Sequence, residues 1–396
     1  MRNVVIVDAV RTPIATMGGT LKEVEVDFLA ASVIDAIVKR SNLDASLVDE
    51  VILGQAKQSA DSPNLARLAA LRAGLPVEVA GYTVHRQCGS GLQSILNAVQ
   101  QIQCGQSDII IAGGAESMST APYYMRGIRY GLGANNGQLL DPNTESQPRS
   151  QPEDQYGKFT MGLTAENLVE QYGISRDQQD SFAYRSQSLA LKAIEENRFA
   201  DEIIPYKVKT RKGTVIFDKD EYPRQTTPEK LAELKPVFKK GGSVTAGNSS
   251  GRNDGASAVL LMSEEKALKL GLKPRARIIG HAAVGVSPEV MGIGPVPATK
   301  KALQVANISM EDLDLIELNE AFAAQALAVI KEWGIGLDKI NVNGGAIALG
   351  HPLGATGSIL LTKILYELER RNGRYGLISL CIGGGMWISA VIELMK

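Results

Sequence analysis

The sequence lacks the features typical of secreted and membrane proteins. It has 3 cysteines in 396 residues, Cys88, Cys104 and Cys381, an odd and scattered set. Such a set argues against a disulfide framework and leaves at least one thiol free. No apolar run reaches the roughly 18 residues that a membrane helix needs, and the first residues lack the apolar core and cleavage site of a signal peptide. We therefore expect a cytoplasmic protein that does not enter a membrane.

The sequence also lacks an excess of either charge. Its 42 Lys and Arg residues balance 43 Asp and Glu residues, so the broad positive field of a nucleic-acid-binding protein is missing. The 3 histidines, His85, His281 and His351, show no metal-ligand spacing with the cysteines. No Gly-x-Gly-x-x-Gly motif follows a strand with an acidic residue at the right distance. We expect neither nucleic acid, nor a metal, nor a nicotinamide cofactor.

Enough apolar residues remain for large cores. Apolar residues make up 44% of the chain, which at this length fits two or three domains. Short β-rich runs at 4–7, 50–53, 83–85 and 109–112 alternate with helical stretches, which indicates an α/β fold. Leu92, Ile95, Leu96, Val99 and Ile102 recur at helical spacing, and Gly105 follows them as a stop signal.

An internal repeat organises the chain. The apolar strand and glycines of 108–119 resemble 377–389, and the strand and turn of 83–91 resemble 341–346 followed by 350–357. Two such halves would bring both sets of Gly-rich turns to one seam, where ligands bind in open α/β sheets. Residues 119–247 contain polar and Pro-rich stretches instead. We predict an N-terminal core domain of 1–118 plus 248–271, an inserted loop domain of 119–247 and a C-terminal core domain of 272–396.

Four motifs carry candidate chemistry. Cys88 lies between a strand and a helix, where a helix N-terminus favours the thiolate and can hold an oxyanion. His351, in a Gly-His-Pro turn, can act as a general base. Cys381 precedes three glycines whose amides offer a second oxyanion site, and Asn319 follows an apolar strand. Taken singly, Cys88, His351 and Cys381 fit a structural role better than a catalytic one, and Asn319 could equally cap a helix expected over 321–333.

Together these motifs resemble the thiolase family over essentially the whole chain. The landmarks stand in order: Arg11-Thr-Pro, Cys88-Gly-Ser-Gly, Ala112-Gly-Gly-Ala-Glu-Ser-Met-Ser, Thr164-Ala-Glu-Asn, Val244-Thr-Ala-Gly-Asn-Ser-Ser-Gly, Asn319-Glu-Ala-Phe, Gly350-His-Pro-Leu-Gly and Cys381-Ile-Gly-Gly-Gly. The resemblance implies a duplicated five-layered α-β-α-β-α core with an inserted loop domain. It also implies a homo-oligomer, either a dimer or a tetramer.

The resemblance further implies a role for each motif residue. Cys88 resembles the nucleophile, His351 the base that activates it, and Cys381 the acid/base that handles the α-carbon proton. Asn319, with His351 and water, resembles the group that holds one thioester oxygen. The backbone N–H groups of Cys88 and Gly383 resemble a second oxyanion hole.

Coenzyme A enters as substrate and product in such enzymes, not as a permanently bound cofactor. By resemblance, the residues that face CoA or the acyl group are Arg224, Ala246, Ser250, Ala321, Phe322, Met161 and Met291. A basic group around a predicted hairpin turn, Lys207, Lys209, Arg211 and Lys212, is interpreted as a solvated face. Cys104 is interpreted as inert packing.

The function implied is that of a thiolase, an acyltransferase that works by 3-ketoacyl-CoA thiolysis or by Claisen condensation of acetyl-CoA. Two positions depart from the family pattern. His85 stands where asparagine is usual, three residues before Cys88, so the shape of that turn can differ. Thr160 stands where short-chain thiolases have histidine before Met-Gly, and the smaller side chain leaves more room for an acyl chain. This favours a degradative enzyme, as in fatty-acid β-oxidation.

Three alternatives stay open. A short-chain acetoacetyl-CoA thiolase would use the same residues. A decarboxylating ketoacyl synthase shares the duplicated fold but is expected to have two catalytic histidines, whereas this chain has Asn319 or His351 with Cys381. An inactive acyl-CoA-binding relative is expected to lack Cys88 or Cys381, and both are present.

Overall fold

The computed structural model describes residues 2–211 and 213–395. The first core half contains β1 (Val4–Arg11), β2 (Ala15–Thr16), α1 (Val26–Arg40), β3 (Glu50–Gly54), α2 (Leu65–Arg72), β4 (Ala80–Val84), α3 (Ser90–Gln103) and β5 (Ile109–Glu116). The inserted segment contains β6 (Tyr124–Met125), β7 (Leu139–Leu140), α4 (Pro142–Glu145), α5 (Glu153–Tyr156), α6 (Met161–Tyr172), α7 (Arg176–Glu195), β8 (Tyr206–Thr210), β9 (Gly213–Phe217) and α8 (Pro228–Ala232).

The chain then returns to the core. It continues through β10 (Asn253–Ser263), α9 (Glu264–Lys269), β11 (Ala276–Gly285), α10 (Pro295–Ala306), β12 (Leu315–Leu318), α11 (Ala323–Trp333), α12 (Ala346–Leu349), α13 (Leu353–Arg371), β13 (Tyr375–Ile382) and β14 (Met386–Leu394). Short 3-10 helices cover Ala45–Leu47, Ile128–Tyr130, Pro148–Ser150 and Pro288–Ile293.

The two halves of the main sheet have the same strand order. In the first half β1 pairs with β10 and β10 with β5, both antiparallel, while β5, β3 and β4 run parallel. In the second half β11 pairs with β14 and β14 with β13, both antiparallel, and β13 pairs with β12 in parallel. A parallel bridge from Ile316 to Ile340 occupies the place of β4. The predicted duplication is therefore confirmed.

Alternating side chains divide the core into five layers. Val5 of β1 packs on the side of α1 and α2, whereas Ile6 faces the central helices α3 and α13. On β13, Ile378 faces the same central helices, whereas Leu377 packs on the side of α10 and α11. This alternation, which follows from the period of two in a strand, confirms the predicted α-β-α-β-α core.

Helices α3 and α13 cross closely at glycines. A Cβ atom on Gly357 would lie 2.4 Å from Leu92 N, and one on Gly91 would lie 2.7 Å from Gly354 O. Larger residues at this crossing would push the helices apart. Because α3 follows the Cys88 turn and α13 follows the His351 turn, the crossing brings the two turns together.

The inserted segment is mainly helical, and its limits as a separate domain stay a prediction. Lys207, Lys209 and Arg211 are exposed near the turn of the β8–β9 hairpin, as predicted, while Lys212 lies outside the described residues. Within 2–211 and 213–395, no helix is long and apolar enough to cross a bilayer.

Two predictions were wrong. Helix α11 begins at Ala323 with Phe322 at its N-cap, so Asn319 does not cap it. Instead Asn319 N donates to Ser379 O at 2.9 Å, which continues the pairing of β12 with β13. Cys104 is exposed rather than packed, because α3 ends at Gln103 and Cys104 is its C-terminal cap.

Candidate active site

A cavity lies where the Gly-rich turns of the two halves meet the inserted segment. Its lining includes most of the predicted site residues: Cys88, His351, Cys381, Gly383, Ser250, Met161, Met291, Ala321 and Phe322. Asn319 is fully buried behind them. Arg224 and Ala246 are exposed and lie outside this lining. The structure thus brings the proposed catalytic residues together and leaves two of the proposed CoA contacts further out.

The Cys88 turn is held in a tight shape by Ser90. Ser90 Oγ accepts a hydrogen bond from Arg86 N at 2.8 Å and donates to Gln87 O at 2.6 Å. Gln87 has a left-handed φ of 45°, a strained conformation for a residue other than glycine. Helix α3 begins at Ser90, so Cys88 lies just before a helix, as the sequence predicts. His85 is exposed, and its side chain hydrogen-bonds that of Gln87.

Burial controls the protonation of Cys88. It raises the pKa of the thiol to about 11, while the charge of Lys57 and the backbone N–H groups of Gly383 and Cys88 act in the opposite direction. The thiol therefore stays protonated at neutral pH. The backbone donors favour the thiolate, as expected from the sequence, but desolvation of the charged form outweighs them.

The hydrogen-bond network fixes the tautomer of His351. Its Nδ1 lies 2.6 Å from Thr356 Oγ1, and that hydroxyl donates to Pro352 O at 2.9 Å. Thr356 must therefore accept the hydrogen bond, so Nδ1 carries the proton and Nε2 is free to accept one. Burial lowers the pKa of His351 to about 4, so the imidazole is neutral at neutral pH. A neutral imidazole can serve as a general base.

Cys381 and Asn319 form the other side of the site. Cys381 is 2% exposed near the end of β13, and Asn319 Nδ2 lies 3.7 Å from its Sγ and 3.5 Å from His351 Nε2. Burial, and then the neighbouring Cys88, raise the pKa of Cys381. Cys381 is thus a protonated thiol that can donate a proton. Among the described residues, Asn319 Oδ1 has no hydrogen-bond partner.

Two buried charged residues escaped the sequence analysis. Glu116 accepts hydrogen bonds from Ala56 N at 2.9 Å, Lys57 N at 3.0 Å and Gly354 N at 2.8 Å, so it ties the turn after β3 to the start of α13. Lys57 lines the cavity and is 7% exposed. In the sequence, Lys57 is simply a lysine three residues after an apolar strand. Lysines are mostly exposed, so this position gave no reason to expect a buried charge.

The site therefore combines two thiols, a neutral imidazole and backbone donors in one partly enclosed cavity. Cys88 can act as a nucleophile once its proton is removed. The N–H groups of Cys88 and Gly383 both act on the Cys88 sulfur, so they are also placed near any acyl oxygen attached there. In the part of the chain that is described, no group of three or more His, Cys, Asp or Glu residues is arranged to hold a metal ion.

Comparisons with known proteins agree with these motifs. The sequence matches the family descriptions "Thiolase, N-terminal domain" over residues 4–265 and "Thiolase, C-terminal domain" over residues 272–394. It is 51% identical to an acetyl-CoA acetyltransferase of Pseudomonas aeruginosa over 99% of both chains.

Two solved structures are closely similar. One is the acetyl-CoA acetyltransferase of Bacillus anthracis, with a TM-score of 0.97 and 50% identity over 100% of this chain and 99% of that chain. The other is human mitochondrial 3-ketoacyl-CoA thiolase, with a TM-score of 0.95, 43% identity and the same coverage. The predicted fold, family and acyltransferase class are confirmed, and the chain belongs to the thiolase family.

Proposed function

We propose that the protein catalyses reversible acyl transfer between coenzyme A and the α-carbon of acetyl-CoA through an acyl-enzyme on Cys88. The observation that carries this proposal is the convergence of Cys88, His351 and Cys381 in one cavity, with the N–H groups of Cys88 and Gly383 beside the Cys88 sulfur. Each group has a protonation state at neutral pH that suits its proposed role.

In the thiolysis direction, Cys88 attacks the 3-keto carbonyl carbon. His351 Nε2 takes the thiol proton as the carbon–sulfur bond forms, because thiol and imidazole are both neutral beforehand. The oxyanion that forms is stabilised by the N–H groups of Cys88 and Gly383. The proton therefore leaves the Cys88 thiol during the attack, and the reaction does not need a thiolate to be present beforehand.

The carbon–carbon bond then breaks, and the electron pair passes to the α-carbon of the departing acetyl-CoA. Cys381 is a protonated thiol at rest and supplies the proton to that carbon. Asn319 and His351 hold the thioester oxygen while the enolate exists. His351 then returns its proton to the Cys381 thiolate, and coenzyme A gives its own thiol proton to His351 as it attacks the acyl group on Cys88. The Cys88 sulfur leaves and regains its proton from His351, which restores the starting state.

Within this reaction we propose the degradative direction with 3-ketoacyl-CoA substrates. Thr160 supports a wider acyl range by its small size, although Met161 rather than Thr160 lines the cavity. The second candidate, a short-chain acetoacetyl-CoA thiolase, is favoured by the name acetyl-CoA acetyltransferase given to relatives from P. aeruginosa and B. anthracis.

A chain-length series separates the two candidates. We expect the wild type to cleave C4, C8 and C12 3-ketoacyl-CoAs, since each buried methylene group contributes about 0.8 kcal/mol. Thr160→His should lower kcat/KM for C8 and C12 more than for C4, whereas Thr160→Val keeps the size of the side chain and should preserve the profile. Wild-type activity on C4 alone would replace the degradative proposal by the acetoacetyl-CoA proposal. Absence of thiolysis at every length would refute the thiolase activity itself.

The remaining proposals concern binding and assembly. Coenzyme A is a substrate and product, and Ser250 in the cavity faces its thioester end while Arg224 and Ala246, which lie further out, face its nucleotide end. The guanidinium group of Arg224 suits phosphate oxygens. We further propose that the protein is a cytoplasmic homo-oligomer, either a dimer or a tetramer. We also propose that its three domains have the limits predicted from the sequence.

A further inference from the structure

The lining of the cavity combines an apolar group of side chains with a polar group that includes a buried charge. Met161, Phe238, Met291 and Phe322 form an apolar wall, in which the two phenylalanine rings stack edge to face at 5.9 Å. The polar side chains of the lining, here called the polar wall, are Lys57, Gln87, Asn143, Ser146, Gln147 and Ser150. Ser146, Gln147 and Ser150 already hydrogen-bond within the protein, whereas an apolar acyl chain would leave Lys57 and the amide oxygen of Asn143 incompletely satisfied.

Lys57 is the charged residue at the centre of this polar wall. Its ammonium group donates to Pro142 O at 3.2 Å and to Ser146 Oγ, which leaves one of its three N–H groups without a partner among the described residues. The buried Lys363, by contrast, pairs with Glu317 at 2.8 Å. In the described chain no carboxylate lies within ion-pair distance of Lys57, so its charge is buried without direct compensation.

Glu116 is the neighbouring charge with the strongest favourable effect on Lys57, but it cannot serve as the missing partner. Its two oxygens accept hydrogen bonds from three backbone N–H groups, those of Ala56, Lys57 and Gly354. Arg252, also in the lining, lies 3.8 Å from Asp141 and so has its own carboxylate. Among the described lining residues, Lys57 is therefore the buried cation that has no carboxylate within ion-pair distance.

Two amides flank the same wall. Asn143 is 5% exposed, its Nδ2 donates to Met118 O at 2.9 Å, and within the described residues its Oδ1 has no partner. Gln87 lines the cavity beside Cys88 with its left-handed backbone. A buried amide oxygen without a partner is costly, so this wall is built for a ligand that carries polar atoms.

We propose that the preferred substrate is a 3-ketoacyl-CoA whose acyl chain carries an oxygen function, a carboxylate or a hydroxyl group, near its distal end, and that Lys57 binds this oxygen. An ammonium ion binds a carboxylate more strongly than a neutral oxygen, whereas a hydroxyl group could also donate to Asn143 Oδ1. The inference rests on the proposed function, because it assumes that the cavity holds the acyl chain of a thiolase substrate.

Matched substrates test this inference. We would compare kcat/KM for thiolysis of 3-oxoadipyl-CoA, 6-hydroxy-3-oxohexanoyl-CoA and 3-oxohexanoyl-CoA, which differ only at the terminal carbon, and of the corresponding C8 set. At one of these lengths an oxygenated substrate should exceed its methyl counterpart by at least about tenfold in the wild type, the effect of a hydrogen bond to a charged group. Lys57→Met should remove this preference, so that the ratio of kcat/KM for the oxygenated substrate to that for its methyl counterpart falls to about one, whatever the loss of its charge near Cys88 does to the rate common to all substrates.

Controls distinguish the other outcomes. Lys158→Met removes an exposed positive charge from the inserted segment and should keep the wild-type preference. If Lys57→Met does not fold, the same substrate comparison would be made with Lys57→Gln, and the selectivity of the wild type would still show whether oxygenated substrates are preferred. Wild-type preference for the methyl substrate at both lengths would overturn the inference. An equal decrease in kcat/KM for all substrates in the variant would also overturn it, because Lys57 would then act on Cys88 rather than on the acyl chain. Inactivity of the wild type toward every substrate would instead refute the proposed function.

Discussion

Replacing Cys381 by alanine is expected to separate the two half-reactions. Thiolysis and condensation should fall by about 10² to 10⁴-fold, the range that a general acid/base group contributes. Acyl transfer from acetyl-CoA to Cys88 should stay within about threefold of the wild type, since no α-proton moves in that step. The structural reason is that Cys381 is a buried protonated thiol beside Asn319, separate from the turn that carries Cys88.

The two steps can be measured independently. Exchange of labelled CoA into acetyl-CoA reports the first half-reaction, and loss of acetoacetyl-CoA in the presence of CoA reports the carbon–carbon step. Cys104→Ala is the matched control, because Cys104 is exposed at the end of α3 and should affect neither rate. If both rates fell equally in Cys381→Ala, the assignment of the α-proton to Cys381 would be wrong.

Replacing His351 by alanine is expected to slow the alkylation of Cys88 at neutral pH by about 100-fold, a typical effect of losing a general base. Burial raises the pKa of Cys88 to about 11, so without a base very little thiolate exists at pH 7. The sign of the pH dependence follows: well below that pKa the thiolate fraction increases about tenfold per pH unit. The rate in the variant should therefore increase steeply from pH 7 to pH 10 and approach that of the wild type.

Iodoacetamide is a suitable neutral reagent, with modification of the Cys88 peptide followed by mass spectrometry in a Cys104→Ala background. His281→Ala is the control, since His281 lies on β11 and outside the cavity lining. An unchanged rate in His351→Ala would mean that backbone donors and the Lys57 charge activate the thiol without the imidazole.

The α/β class and the duplication could be predicted from short sequence patterns, whereas the five-layered core was expected from the resemblance to the thiolase family. Strand periodicity, the helix after Cys88 and the internal repeat all appear in short stretches of sequence. The end of β1 could not be predicted, since the apolar run stops at Val7 while the strand continues to Arg11. Arg11 is fully buried because Glu202 at 2.7 Å and Asp220 at 2.8 Å compensate its charge, and both partners are distant in sequence.

The grouping of the proposed catalytic residues in one cavity could be predicted from the sequence, but their electrostatics could not. Cys88, His351 and Cys381 stand in short Gly-rich motifs that can be recognised directly in the sequence. The protonated state of Cys88 depends on burial between the two halves and the inserted segment, which no local pattern reports. For the same reason Lys57 was overlooked: its importance comes from the cavity that encloses it.

The central claim is that Cys88 carries the acyl group, and covalent labelling tests it most directly. The wild-type protein would be incubated with acetyl-CoA, quenched in acid and analysed by intact mass and peptide mapping. The account predicts a single acetyl group on the peptide that contains Cys88 and its absence in Cys88→Ala. A stable acetyl group on Cys381 or Cys104, or unchanged labelling in Cys88→Ala, would contradict the account.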